Sequence, residues 1–313
     1  MRLVTILAGV ELEHPLMNGP GTCKTVEDVR RFARSSVSAV NVGSITVLDR
    51  PSNPGNTYWS GLHYALNSLG LPNPGHAYYA QNLPEMADLC HANGKGFTLS
   101  VAGFRPEEYG VLAKVGFQGG ADYIELNLGC PNVWAEGQQK RIASFDPSVI
   151  VSILRAVERC VPVNKARIGI KLSPYSDPGM LEEVADTIAQ LPVNYIATCN
   201  TFPNSYEIDD SGKPVIGAGY AGLSGEAMKP VGQGQVRQFR ERLNGAVQII
   251  GMSGILTGRD MADYLQPDVG ADAVAATTAY WRSHEDVGVY GDILAAYVEQ
   301  VRTEHQVYRS FEF

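Results

Sequence analysis

The sequence predicts an α/β fold, a (β/α)8 barrel of the TIM type, and three observations carry that prediction. Apolar runs of strand length recur along the chain with amphipathic stretches of helix length between them, the pattern of parallel strand pairing. There are eight such runs with no break in composition between them, which favours a closed barrel over an open doubly wound sheet. Each run ends in small or polar residues, and a barrel collects its functional groups where its strands end.

The runs are Leu16–Gly19, Val40–Ile45, Phe97–Ala102, Tyr123–Leu128, Ile168–Leu172, Tyr195–Cys199, Val247–Gly251 and Ala273–Thr277. Helix starts are legible between them. Thr25-Val26-Glu27-Asp28 has the form of a capping box, and Asp146-Pro147 precedes the stripe Val149, Ile150, Ile153, Leu154, Val157. Three excursions interrupt the rhythm, at 46–85, 130–145 and 202–221, each after a strand end, and they are expected to lie over one mouth. At 313 residues the chain accommodates one barrel domain over 1–313, with the excursions as insertions.

Composition narrows the function. Net charge is −8, from 25 basic and 33 acidic residues, and the basic residues are scattered, which argues against nucleic acid as a partner. The five cysteines (Cys23, Cys90, Cys130, Cys160, Cys199) are widely spaced without a C-x-x-C pair, as expected for a reducing cytoplasm without disulfides or a cysteine-held metal. The opening apolar stretch soon meets Glu11 and Glu13, and no segment reaches the ~20 apolar residues of a membrane span.

Cys130, in Asn127-Leu128-Gly129-Cys130-Pro131-Asn132, stands at a strand end between two carboxamides, a setting that gives a thiol the exposure an acid/base needs. For the other four cysteines burial is the expectation. Asn67, Asn127, Asn132 and Asn200 lie at strand ends or in excursions, and carboxamides suit a flat ring with alternating C=O and N–H groups. Lys171 sits inside an apolar strand, where an unpaired ammonium is costly, so it should meet an anion or form a Schiff base with a carbonyl substrate. Gly251-Met252-Ser253-Gly254 and Thr277-Thr278 follow the last two strands, the usual place for a phosphate in such a barrel, and Gly222-Leu223-Ser224-Gly225 offers another face. There is no Walker sequence and no strand-linked G-x-G-x-x-G with its acidic partner. The six histidines show no metal-ligand spacing, and His63 and His76 read as surface residues.

Met17-Asn18-Gly19-Pro20-Gly21, Asn67-Ser68-Leu69-Gly70-Leu71-Pro72-Asn73, the Cys130 stretch, Gly169-Ile170-Lys171-Leu172 and Cys199-Asn200-Thr201 occur together in order. In these stretches, over nearly its whole length, the chain resembles the class 1A dihydroorotate dehydrogenases. The resemblance implies an FMN flavoprotein, a cytoplasmic homodimeric oxidoreductase of pyrimidine biosynthesis that oxidises dihydroorotate and passes electrons to fumarate. It implies Cys130 as the group that takes the substrate C5 proton while hydride leaves C6 for the flavin. Asn67, Asn127, Asn132, Asn200 and Thr201 would hold the ring and Leu69, Gly70 and Leu71 its carboxylate. Gly19, Gly21, Gly43, Ser44, Asn127, Lys171, Gly225, Ser253, Gly254, Thr277 and Thr278 would line the cofactor.

The chain departs from that family at Gly43, where the family has a lysine touching flavin and substrate, and at Ser253 and Thr277, where it usually has glycines. A lost cation at residue 43 implies a lower flavin potential and a site with room for a bulkier ring. Restoring it by Gly43→Lys is expected to raise the potential if the side chain fits. Rival readings are an ene-reductase or desaturase acting on another lactam or enone, a flavin-free Schiff-base lyase or aldolase using Lys171, and a binding protein without activity.

Overall fold

The computed structural model describes residues 3–135, 138–162 and 167–310. Eight parallel strands form the barrel: β1 (Leu16–Asn18), β2 (Ala39–Ile45), β3 (Gly96–Val101), β4 (Tyr123–Asn127), β5 (Ile168–Lys171), β6 (Tyr195–Thr198), β7 (Gln248–Gly251) and β8 (Ala273–Ala276). Each begins and ends within one residue of its apolar run. The hydrogen-bonded order is β1-β8-β7-β6-β5-β4-β3-β2, so only the seam between β1 and β2 lacks a ladder. A side chain closes it. Asn18 Nδ2 donates to Asn41 O at 2.8 Å and Asn18 Oδ1 accepts from Asn41 N at 2.9 Å, the pair of bonds a neighbouring strand would have made. Ser38 N donates to Leu16 O at 2.8 Å lower on the seam.

Helices α1 (Val26–Ala33), α2 (Gly75–Ala92), α3 (Pro106–Gln118), α4 (Pro147–Cys160), α5 (Pro178–Ala189), α6 (Lys229–Leu243), α7 (Gly258–Leu265), α8 (Thr278–Arg282) and α9 (Val289–Ser310) surround the sheet. The Thr25 capping box is present in full, and Asp146 caps α4 ahead of Pro147 at its first turn. The first excursion is shorter than the sequence suggests. It ends at Pro74, because α2 starts at Gly75 and carries Pro84 inside it. A proline inside a helix and a weakly amphipathic stripe made the segment read as loop. None of the described helices is long and apolar enough to cross a membrane.

Two additions close the barrel ends. At the bottom an antiparallel hairpin, Thr5–Leu7 with Val10–Leu12, buries Leu7 and Leu12 among inward side chains of the strands, and Tyr123 Oη donates to Leu7 O at 3.0 Å. At the top the strands Tyr58–Ser60, Ala65–Asn67, Ala221–Ser224 and Phe202–Ser205 form a four-stranded antiparallel sheet across the mouth. The first and third excursions thus build one lid, and the second, carrying Cys130, packs beneath it through Asn53 Nδ2 to Asn132 O at 3.2 Å.

Candidate active site

Strand alternation sets the floor of the site. On β4 the inward positions are Tyr123, Glu125 and Asn127, and the register places Gly169 opposite Glu125 and Lys171 opposite Asn127. Gly169 is required at its level, because a Cβ there would lie 2.0 Å from the ring of Tyr195. Lys171 is buried. Desolvation lowers its pKa, opposed chiefly by the carboxylate of Glu125 and then by the thiols of Cys130 and Cys199. Glu125 is itself buried, and desolvation raises its pKa against the attraction of Lys171. The barrel interior therefore sets the Lys171 amine and the Glu125 carboxyl together, each favouring the charged form of the other against burial, with Lys171 lining the cavity.

Above that floor the carboxamides form two hydrogen-bonded pairs. Asn127 Nδ2 donates to Ser44 Oγ at 2.8 Å, and Ser44 Oγ is 2.8 Å from Ser100 Oγ. Asn127 Oδ1 accepts from Asn200 Nδ2 at 3.3 Å, and Asn132 Nδ2 donates to Asn67 O at 2.7 Å. These contacts fix the amides from behind. Gly70 and Leu71 follow one another at φ 82° and 59°, a left-handed turn that brings backbone to the cavity wall. Asn73 locks that turn by accepting from Thr46 N at 3.2 Å and Gly75 N at 2.9 Å, and Arg50 Nε donates to Gly70 O at 3.1 Å.

Cys130 borders the same space as Asn67, Leu69, Leu71, Asn127, Asn132, Lys171 and Asn200, and it is partly open while Cys23, Cys90 and Cys199 are buried. Cys160, expected to be buried, is half-buried at the end of α4. Desolvation raises the Cys130 thiol pKa, and the Asn132 backbone N–H, Lys171, Lys140 and Arg50 pull it back. A thiol surrounded by cations and facing amide groups is equipped to move a proton to or from a bound ring.

A second lobe of the cavity runs over the ends of β7 and β8, past Pro20, Gly21, Thr201, Ser253, Gly254, Thr277 and Thr278. Ser253 and Gly254 both have positive φ, 86° and 69°. Among the described residues, the backbone N–H groups of Ser253, Gly254 and Ile255 have no hydrogen-bond acceptor. Such a turn of free N–H groups fits a phosphate. The Ser253 side chain points away from it, donating to Cys199 O at 3.0 Å. The Thr277 hydroxyl occupies the place a Cβ on Gly19 would take, 2.0 Å from it, so Gly19 serves to admit Thr277. Neither Gly19 nor Gly225 lines the cavity. Gly225 turns the chain against the Tyr64 backbone at φ 88°. Of the two histidines read as surface residues, His63 is exposed and His76 is half-buried, its Nδ1 2.9 Å from Val47 O.

The structure overturns the expectation for Gly43. Its φ is 120°, and a Cβ would stand 2.4 Å from Ser100 O and 2.9 Å from Ile45 N, both backbone atoms. No lysine fits here, so Gly43→Lys cannot restore a cation and no space for a bulkier ring is left by its absence. A second lysine stands on the same wall. Lys24, half-buried in the loop after β1, lines the cavity wall together with Gly43, Ser44 and Lys171. Desolvation lowers its pKa, countered by Asp28 and Glu285. In the sequence Lys24 is one polar residue before a helix cap, and its neighbourhood to Gly-Pro-Gly at the first strand end was the available signal.

Comparison with known proteins gives the family and the fold. The profile of the dihydroorotate dehydrogenase family matches residues 2–293. The chain is 32% identical over 258 residues to the dihydroorotate dehydrogenase (fumarate) of Kluyveromyces lactis, covering 81% of this chain and 79% of that one. It is 33% identical over 261 residues to that of Lachancea kluyveri, covering 81% and 80%. Its fold is similar to a dihydroorotate dehydrogenase from Eimeria tenella crystallised with ferulenol, with a TM-score of 0.82 at 19% identity over 97% of this chain and 85% of the other.

Proposed function

This chain belongs to the dihydroorotate dehydrogenase family, and from that premise we propose that it is an FMN enzyme oxidising dihydroorotate to orotate with fumarate as the electron acceptor. The observation that carries the reading is the cavity in which Cys130 meets Asn67, Asn127, Asn132 and Asn200 above Lys171. FMN, when bound, supplies an acceptor for the hydride from C6. Everything else falls to the chain. Cys130 takes the C5 proton, the four amides and Thr201 hold the ring, and the turn at Leu69–Leu71 takes its carboxylate. Lys171 and Lys24 supply positive charge at the cofactor, and the free N–H groups at Ser253 and Gly254 hold its phosphate. Lys24 thus provides the cation that the family carries at residue 43. The Glu125 carboxylate beside Lys171 favours its charged form and supports a charge-balancing role, and the family match counts against a Schiff-base lyase.

One barrel domain, a cytoplasmic location, a place in pyrimidine biosynthesis and a homodimer belong to the same reading. Exposed apolar side chains on the lid sheet and its connections, among them Tyr206 and Tyr220 with ring centres 6.0 Å apart, support the dimer. The test is anaerobic addition of dihydroorotate to the purified protein. Bleaching of a flavin spectrum, reversed by fumarate, is expected. A colourless protein that takes up no FMN refutes the flavin reading, and a coloured one that dihydroorotate does not bleach refutes the substrate.

A further inference from the structure

Cys130 has a second flank that the chemistry above does not use. Beside Leu71, Asn127 and Cys130 lies a narrow space of about 20 Å³, also lined by Phe104, Tyr109, Lys140 and Arg141. A groove of about 670 Å³ adjoins it on the outside of the barrel, between the loop after β3 and the start of α4. Phe104, Tyr109, Lys140, Arg141 and Ala143 border both spaces, so these residues stand between the groove and Cys130.

The charge along this path is mostly positive. Arg105 and Arg141 are exposed at the groove and Lys140 is half-buried at its inner end, in a chain of net charge −8. The acidic residue in the wall, Asp146, is turned to the α4 N-terminus, accepting from Ser148 N at 3.0 Å and Val149 N at 3.3 Å. Glu108, nearby on α3, accepts from Phe104 N at 2.7 Å and does not line the groove. Lys140 Nζ donates to Gly103 O and lies 4.9 Å from the Phe104 ring centre, against which Arg50 also packs at 4.8 Å. One carbonyl occupies one of three ammonium donors, so Lys140 keeps donors for a passing anion.

We propose that this groove is an approach route by which small carboxylate anions reach Cys130, with Arg105 and Arg141 attracting them and Lys140 against Phe104 forming the gate. A cleft lined by one sign of charge raises the local concentration of the opposite ion and its on-rate. The identity of the anions, the ring acid and the dicarboxylate acceptor, rests on the function proposed above; the route does not.

The test therefore uses thiol alkylation of the FMN-loaded protein rather than turnover. The Cys130 thiolate attacks the CH2 carbon of iodoacetate or iodoacetamide and expels iodide to form a thioether, and the two reagents differ in charge. Their rate ratio at Cys130 cancels any change in the reactivity of the sulfur and reports approach alone. Cys160, half-buried on α4, serves as the internal reference by peptide mass spectrometry. Arg105→Gln with Arg141→Gln should lower the iodoacetate-to-iodoacetamide ratio at Cys130 about tenfold at low salt and leave Cys160 unchanged. Ala143→Trp, which adds bulk where the two spaces meet, should slow both reagents together. An unchanged ratio in the arginine variant, with flavin absorbance intact, overturns the proposal, whether or not the tryptophan variant folds. If the ratio falls but dihydroorotate is not oxidised, the route stands and the identity of the anions is what fails.

Discussion

Gly43→Ala is the smallest perturbation that tests the reasoning at the second strand. The added Cβ would sit 2.4 Å from Ser100 O and 2.9 Å from Ile45 N, where ordinary contact is beyond about 3.4 Å. Both neighbours are backbone atoms in or beside the β2–β3 ladder, so no side-chain rotation relieves the overlap. Holding a non-glycine residue at φ 120° costs about 1–3 kcal/mol, and forcing a packed neighbour aside costs about another 1–3 kcal/mol. For a chain of this length each kcal/mol lowers Tm by about 1.5 °C, from ~2.1 cal/mol/K of unfolding entropy per residue. The expected drop is ~3–9 °C in calorimetry of the FMN-saturated protein. Because Ser44 Oγ, the next residue, supports Asn127, FMN affinity should fall as well. Equal Tm and equal flavin affinity in the variant would show that the β2 backbone has freedom to move, and the argument that no lysine fits at residue 43 would fail with it.

Three further outcomes follow from the same geometry. Cys130→Ala should keep the flavin spectrum and slow dihydroorotate-driven bleaching ~10²–10⁴-fold. Since burial raises the Cys130 thiol pKa, the wild-type bleaching rate should climb with pH as thiolate forms, and that climb should vanish in the variant; an unaltered rate removes the thiol from the reaction. Lys24→Met should lower the flavin potential by ~30–60 mV in a redox titration, the remainder of a Coulomb interaction of about 4 kcal/mol after solvation and Lys171 offset part of it, and an unchanged potential would mean that Lys24 faces no charge that develops on reduction. His14, buried with its Nδ1 3.3 Å from Leu16 N, has its pKa lowered from 6.5 to about 4 by desolvation. The unfolded chain then binds a proton that the folded chain refuses, so this contribution to stability is complete above pH 6.5 and is lost as pH falls toward 4. His14→Gln should flatten that part of the Tm–pH curve, and a slope identical to wild type would show that another group sets it.

What the sequence made legible and what it hid divide along the range of the interactions. The eight strands were readable because each is a local run of apolar residues bounded by small or polar ones, and the Asp146 and Thr25 caps because a cap is settled within four residues. Cys130 was readable for a similar reason, since glycine, proline and asparagine beside a thiol mark a loop whatever the rest of the chain does. The seam closure was hidden. Asn18 looked like one more polar residue at a strand end, and only the approach of Asn41 turns its amide into a substitute for a strand. Gly43 was misjudged and Lys24 passed over by the same limit. An absent side chain reads in sequence as an absent charge, but backbone angle and the Ser100 carbonyl decide whether a side chain was ever possible there. The wall that Gly43 leaves bare of charge receives it from a residue in a different loop. A charge required by a bound ligand constrains a point in space and leaves open which strand end supplies it. A barrel, whose eight loops converge on one mouth, gives evolution several positions from which to meet the same requirement.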